Sequence, residues 1–244
     1  MDAQPRTAEP SRRALRPPEP LSRTLVIQAA VRYIDTYGLR GLSMRRLGAE
    51  LGVEAMSLYR YIDGREELLD GVVEAVIDEL SVDPDVPIGP NDGWQAFLQK
   101  LAHGVRRIAL AHPEVFPLIA TRPPSAPWIR PPLRSLPWIE AFLNGLSSRG
   151  FSDEGAAAAY RAFSSFLLGH LLLEVSSRGA ATAPADEPLA EQAEGDDRHE
   201  HDIDLDEFPN LKRLVGHLVE DHSQEEFEES LENLLDRLER YVTA

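Results

Sequence analysis

The stretch Ser43-Met44-Arg45-Arg46-Leu47-Gly48-Ala49-Glu50-Leu51-Gly52-Val53-Glu54-Ala55-Met56-Ser57-Leu58-Tyr59-Arg60-Tyr61 decides how the whole chain is read. Ser43 is a helix N-cap residue, and Gly52 breaks the helix that follows. A second short helix is predicted from about Glu54 to Tyr61. Two short helices joined by a tight, glycine-containing turn make a helix-turn-helix. Leu47, Leu51, Val53 and Leu58 close a small core between them, and Ala49 is small enough to let them approach. In this motif the second helix enters the major groove of DNA while the first crosses the backbone. Ser57 and Arg60 then offer hydrogen-bonding groups to base edges or phosphates, and Tyr59 and Tyr61 reach the sugar-phosphate chain. Arg60 can bridge guanine O6 and N7 or hold a phosphate, and Tyr59 can instead pack within the small domain.

The flanks are helical too. Ser22 caps a helix whose apolar residues Leu25, Val26, Ala29, Ala30, Tyr33, Ile34 and Tyr37 share one face, and Gly38 ends it. Asp63 and Glu66 have capping-box spacing ahead of a helix carrying Leu68, Leu69, Val72, Val73, Val76 and Leu80, which runs into a Pro84/Pro87/Pro90 linker. Residues 1–21 hold five prolines and read as a disordered arm. Asp92 and Gln95 repeat the capping-box spacing before Phe97, Leu98, Leu101, Val105, Ile108 and Ala109. A short segment from His112 to about Ala120 follows, then six prolines in residues 121–137. Helices are predicted from about Leu136 to Arg149 and, capped by Ser152, to about Ser177. Residues 179–207 read as a flexible acidic loop. A short amphipathic helix spans Leu211–Val219, and Ser223-Gln224-Glu225-Glu226 reads as the capping box of the last helix. With no alternating strand pattern, the fold class is all-α, about ten helices. An N-terminal three-helix helix-turn-helix domain (22–80) precedes a larger helical domain (91–244).

Composition narrows the function. The net charge of -16 is unevenly spread: residues 1–65 carry 11 basic against 7 acidic side chains, and the rest carry 14 against 34. A basic module on an acidic body fits nucleic-acid binding. The chain of 244 residues has no cysteine, which excludes thiolate nucleophiles and cysteine zinc sites. It shows no nucleophile motif, glycine-rich phosphate loop or helical H-E-x-x-H, so it reads as no enzyme, with no cofactor and no metal. His199-Glu200-His201-Asp202 sits in an acidic stretch with nothing to orient the rings and reads as adventitious. No apolar run of about 18 residues and no signal segment is seen, so no membrane is expected, and a cytoplasmic protein is.

Residues Leu21 to Leu80 resemble the DNA-binding domain of the TetR family of transcriptional repressors. Gly41 to Gly48, Leu51-Gly52-Val53, Ser57 to Tyr61 and Glu67-Leu68-Leu69 carry the likeness. The resemblance implies DNA contacts from Ser43 and Arg45, then Ser57, Tyr59, Arg60 and Tyr61. It also implies a phosphate clamp at Arg65, where a helix N-terminus favours anions. Arg65 can also be read as an ordinary surface charge. Trp94 to Leu98, Arg106 to Leu110, Ala120 to Pro123 and Gly150 to Ser152 resemble the tetracycline repressors within that family.

In that branch a polar set grips a magnesium-chelated drug, and the aligned positions here are Leu80, Leu101, Leu118 and Phe142. All are apolar, so the expected effector is a flat or bulky, largely apolar small molecule. Its candidate contacts are Leu101, Val105, Phe116, Leu118, Trp128, Trp138, Phe142, Phe163, Phe166, Leu167 and His170, with His103, Arg106 and His170 as candidate anchors. Each aromatic also reads as core, and His170 as a core or interface histidine.

The resemblance further implies a homodimer through a four-helix bundle of residues 152–178 and 224–242, where Ala156 to Ala159 permit close approach. Its recognition helices would lie about 34 Å apart on a near-palindromic double-stranded operator. The implied function is a dimeric repressor released by a small-molecule effector. The alternative is an effector-independent DNA-binding activator or architectural protein.

Overall fold

The computed structural model describes residues 20–82, 92–122, 129, 135–181 and 205–242. The N-terminal arm up to residue 19, the proline linker, Trp128, the stretch 182–204 and with it His199 to Asp202 lie outside the described residues. The described residues form ten α-helices: α1 (Arg23–Tyr37), α2 (Met44–Glu50), α3 (Ala55–Leu58), α4 (Arg65–Val82), α5 (Trp94–Ala111), α6 (Phe116–Thr121), α7 (Leu136–Ser147), α8 (Asp153–Ser177), α9 (Pro209–Leu218) and α10 (Ser223–Leu238). Among the described residues there is no strand, only an antiparallel bridge between Phe151 and Val242.

Local chemistry sets several helix ends. Ser22 Oγ accepts from the Leu25 N–H at 3.2 Å, and the Gly38 N–H donates to the Ile34 carbonyl at 2.7 Å. Gly38 sits at φ 75°, a value that side chains with a Cβ rarely adopt. Ser152 caps α8 through the Gly155 N–H.

Three expected caps differ. The Asp63 N–H donates to Glu67 Oε2, not to Glu66, at 2.5 Å, and that bond holds the Glu67 carboxyl below its ordinary range. Asp92 does not cap α5: Gly93 holds the N-cap position, and Asp92 Oδ2 instead accepts from Lys100 Nζ at 2.7 Å. Ser223 is the first residue inside α10, and its N–H is taken by Asp221 Oδ1 at 3.0 Å. In each case a neighbouring carboxylate or glycine supplies what the spacing assigned to another residue. Tyr37 also leaves the apolar face of α1 and is 63% exposed, its ring 4.9 Å from that of Tyr33.

Two hydrophobic cores result. The first gathers Val26, Ile34, Leu47, Leu58, Leu69 and Val72, with Val115 and Leu118 reaching in from the α5–α6 junction. The second gathers Leu98, Phe142, Phe163, Leu171, Phe227 and Leu231 from α5, α7, α8 and α10. Helix α4 belongs to both, giving Leu68 to Val76 to the first core and Leu80 to the second.

By length and composition α8 is apolar enough to cross a membrane, contrary to the sequence expectation. Its buried residues, Ala159, Phe163, Leu167 and Leu171 among them, make it the central core helix instead. Helix α9 is the opposite case, with no buried residue.

Candidate functional site

The helix-turn-helix is held by short-range contacts. Ser43 Oγ accepts from the Arg46 N–H at 3.2 Å, and Arg46 Nη1 reaches back to the Gly41 carbonyl at 3.0 Å. The turn closes where the Val53 N–H donates to the Gly48 carbonyl at 2.9 Å. Gly52 lies at φ 68°. The close approach of α2 to α3 occurs at Gly48, not at Ala49 as the sequence suggests. A Cβ on Gly48 would lie 2.9 Å from the Val53 carbonyl oxygen and 3.2 Å from the Ala55 nitrogen, whereas Ala49 is exposed. Leu47 and Leu58 are fully buried between the helices, with Leu51 and Val53 half-buried beside them.

Helix α3 is shorter than predicted. It ends at Leu58, and Tyr61 and Ile62 turn back to the Leu58 carbonyl at 2.9 and 3.1 Å. With Leu58 facing inward, Met56 (76% exposed), Tyr59 (44%), Tyr61 (36%) and Arg60 face outward, and Ser57 is half-buried. Ser43 and Arg45, at the start of α2, are exposed. Arg65 opens α4, half-buried. The structure thus places all seven expected DNA-contact residues on or beside the motif. Met56, which sequence reading passed over, shares this outward surface. Its signal is an apolar residue two positions before the inward Leu58, hence on the outer side of the helix.

A cavity of about 70 Å³ lies between α4, α5, α6, α7 and α8, and its lining is apolar apart from Ser135 and Ser164. Ile77 and Leu80 come from α4, Val105 and Ile108 from α5, Phe116 and Ile119 from α6, Trp138 from α7, and Leu167 and Leu168 from α8. Of the expected contacts, Val105, Phe116, Trp138 and Leu167 line it. Leu101, Phe142 and Phe163 lie in the second core. Leu118 projects from the other side of α6 into the first core, because a six-residue helix between two cores must serve both.

Phe166 and His170 gather around Phe227 of α10, with centroids 5.7 and 5.4 Å away. The remaining candidate anchors are engaged elsewhere. His103 Nε2 meets Glu228 Oε1 at 3.0 Å. Arg106 makes a two-pronged pair with Glu174 at 3.0 and 2.7 Å and covers the Phe227 ring at 5.2 Å. Sequence reading missed Ile77, Ile108, Ile119 and Leu168 as wall residues. Aliphatic side chains at these spacings carry no mark separating wall from core.

The cavity is mechanically tied to the DNA-binding motif. Arg122, at the end of α6, donates from Nε to Asp70 Oδ1 at 2.6 Å and from Nη2 to the Glu66 carbonyl and Oε2 at 2.9 and 2.8 Å. Its side chain is 8% exposed. Charge-assisted bonds are roughly twice as strong as neutral ones. One end of α6 therefore grips the first turns of α4, next to Arg65, while Phe116 and Ile119 on the same helix face the cavity.

Residues 86–242 match the family model described as tetracyclin repressor-like, C-terminal domain, and residues 26–72 match that of bacterial regulatory proteins, tetR family. The chain is 33% identical over 160 residues to the HTH-type transcriptional repressor DrrR1 of Streptomyces coeruleorubidus, covering 65% of this chain and 56% of that protein. The match thus spans little more than half the length of DrrR1. The chain is 30% identical over 173 residues to the tetracycline repressor protein class C of Escherichia coli, covering 71% and 75%. Among solved structures it is similar to ActR of Streptomyces coelicolor in complex with (S)-DNPA, with TM-score 0.64 and 28% identity, covering 92% and 100%. The complex of ActR with actinorhodin gives TM-score 0.64 and 29% identity, covering 91% and 98%.

Proposed function

Because the chain belongs to the TetR family of transcriptional regulators, we propose that it is a dimeric repressor which a small, largely apolar molecule releases from a near-palindromic operator. The observation that carries this reading is the double duty of α6, which walls the cavity at Phe116 and Ile119 and grips α4 through Arg122. A cavity of about 70 Å³ is far below the roughly 300–1,000 Å³ of drug-sized pockets. An occupant of that size must push the walls apart, moving α6 and the Ile77–Leu80 stretch of α4. That motion shifts the helix-turn-helix seated on the other end of α4. The effector's preference for the shifted state sets the coupling. The solved complexes of ActR with small molecules support a ligand-responsive body. An effector-independent architectural protein has no need of such a cavity.

On DNA, Ser43, Arg45 and Arg65 serve the backbone, with Ser43 and Arg45 also within range of base edges, and Ser57, Tyr59, Arg60 and Tyr61 serve the recognition surface. Met56 suits a thymine methyl group. A second copy accounts for α9. Leu211, Val215 and Leu218 on that helix are 47%, 41% and 63% exposed, and Phe208 just before it is 48% exposed. A ten-residue helix is marginal in water without a packing partner. The same copy covers Leu173 of α8, 74% exposed. In this reading residues 22–80 bind DNA, residues 91–244 bind effector and twin, and the protein works in the cytoplasm without catalysis, metal or cofactor.

Selection of bound DNA from a random pool, followed by binding assays on the winning duplex, tests the reading. Recovery of no sequence preference overturns it. On that duplex Arg65→Ala is expected to weaken binding to all sequences alike and to flatten the salt dependence by about one unit of slope. Arg60→Ala is expected to relax preference at particular positions by about 1–3 kcal/mol. The cavity has its own test. Val105→Phe adds a smaller volume from α5, filling much of the cavity without forcing its walls, and should leave operator affinity near wild type. Repression in a reporter strain should then persist in the presence of compounds that relieve it for the parent protein.

A further inference from the structure

We propose that His112 is a positioning residue that fastens the two cores together through a protonated ring, and that the fastening loosens when the ring loses its proton. Its backbone ends one helix and starts the next. The His112 N–H closes α5 on the Ile108 carbonyl at 2.9 Å, and its own carbonyl accepts from Val115 and Phe116 at 3.1 and 2.9 Å. Its side chain leaves that junction in two directions. Nδ1 meets Asp35 Oδ2 of α1 at 2.8 Å, and Nε2 meets Glu79 Oε2 of α4 at 3.2 Å. One imidazole therefore bridges α1, α4 and the turn from which α6 begins, opposite the end held by Arg122.

The ring's charge follows from counting protons. A neutral imidazole has one N–H and one lone pair, so it can donate to only one of two carboxylates and must turn a lone pair on the other. Both bonds are made only by the imidazolium. The groups facing the ring are Asp35 from α1 and Glu79 from α4. Glu114 lies in the ring's own turn, with its carboxylate beside Gly38. All three are acids. The ring is 16% exposed, and the buried Asp35 Oδ1 has no hydrogen-bond partner among the described residues. The imidazolium is thus the counter-charge of a carboxylate that is only a quarter exposed.

The bond to Asp35 pushes the imidazole above its ordinary value of 6.5. Burial opposes this, and the charges of Asp35 and Glu79 add to the rise. A folded-state value above the unfolded one means the joint is complete below about 6.5 and is lost as pH climbs through the raised value. The window therefore lies on the alkaline side of the ordinary histidine range. Within the function proposed above, a looser joint leaves Arg122 and the packing of Leu118 in the first core to hold α6 to α4, and the Phe116 wall moves with less drag on α1.

Hydrogen exchange on the full-length protein, without DNA or effector, tests the joint apart from repression. Its failure leaves the operator and cavity tests standing, and their failure leaves it standing. Amide protection at the end of α1 and the start of α6 should fall several-fold in the wild type, relative to His112→Gln, between about pH 6 and about pH 8.5. His112→Gln should match the alkaline wild type throughout. Glu79→Gln alters a half-exposed acceptor and keeps the ring, so it serves if His112→Gln folds poorly. It should lower the midpoint of the His112 ring in a nitrogen-detected titration. A wild-type to variant ratio that stays constant with pH, or a His112 midpoint at or below 6.5, overturns the proposal.

Discussion

Gly48→Ala is expected to lower operator affinity roughly a hundredfold, equivalent to about 2.8 kcal/mol. It should also destabilise the first core by about 1–3 kcal/mol. The added methyl group meets the Val53 carbonyl oxygen at 2.9 Å and the Ala55 nitrogen and Cα at 3.2 and 3.3 Å. All three are backbone atoms, so no rotamer change relieves the contact, and α3 must slide or tilt away from α2. Helix α3 has only four residues and cannot absorb the shift by bending. Its outward side chains move together relative to Ser43 and Arg45, and the two surfaces no longer fit one groove. Fluorescence anisotropy with the selected duplex reads the affinity, and urea unfolding reads the stability. Ala49→Ser, at the exposed neighbour, should change both by less than about 0.5 kcal/mol. Wild-type affinity in Gly48→Ala would show that the helices do not meet there.

Arg106→Leu is expected to cost about 3–5 kcal/mol of stability in the second core. Glu174 is 2% exposed and Arg106 13%, so removing the guanidinium strands a carboxylate where water cannot reach it. Arg178 also reaches Glu174 Oε1 at 3.1 Å. Its side chain is 47% exposed, so it offsets only part of the loss. The double replacement Arg106→Leu with Glu174→Leu should recover most of the stability, because no unpaired charge then remains. The single variant should also regain stability relative to wild type as pH falls. A stranded carboxylate takes up a proton more readily folded than unfolded, so acid favours the folded form. Urea midpoints across pH for the three proteins measure both effects. A small loss in the single variant that does not change with pH would mean that Arg178 suffices.

The sequence made the helix-turn-helix legible because its signals are local. Ser22, Gly38, Ser43 and Gly52 act on backbone groups a few residues away, and the structure uses each as its chemistry suggests. What local signals do not carry is which of two adjacent residues meets another helix. Gly48 and Ala49 are both small, and only the rotation of α2 about its axis selects Gly48. Glu66 and Glu67 are both acids in the first turn of α4. Glu67 caps because Arg122, from a distant helix, claims Glu66.

The cavity was the least readable part. Phe116, Leu118 and Ile119 share a helix too short for periodicity to assign faces, and the structure divides them between cavity and first core. Arg106 reads as a ligand anchor until Glu174, 68 residues away in sequence, is found beside it.

The apolar wall of the cavity has a consequence for what the protein can tell apart. A wall whose polar members are only Ser135 and Ser164 ranks visitors mainly by shape and by the water they shed. One methylene more or less changes the ranking by only about 1–3 kcal/mol. Under the proposed function, congeners of a single scaffold therefore share the response, at graded potency. Their association carries a negative heat-capacity change, and its hydrophobic part weakens on cooling. Under the proposed function, the regulator registers a chemical series and not one compound.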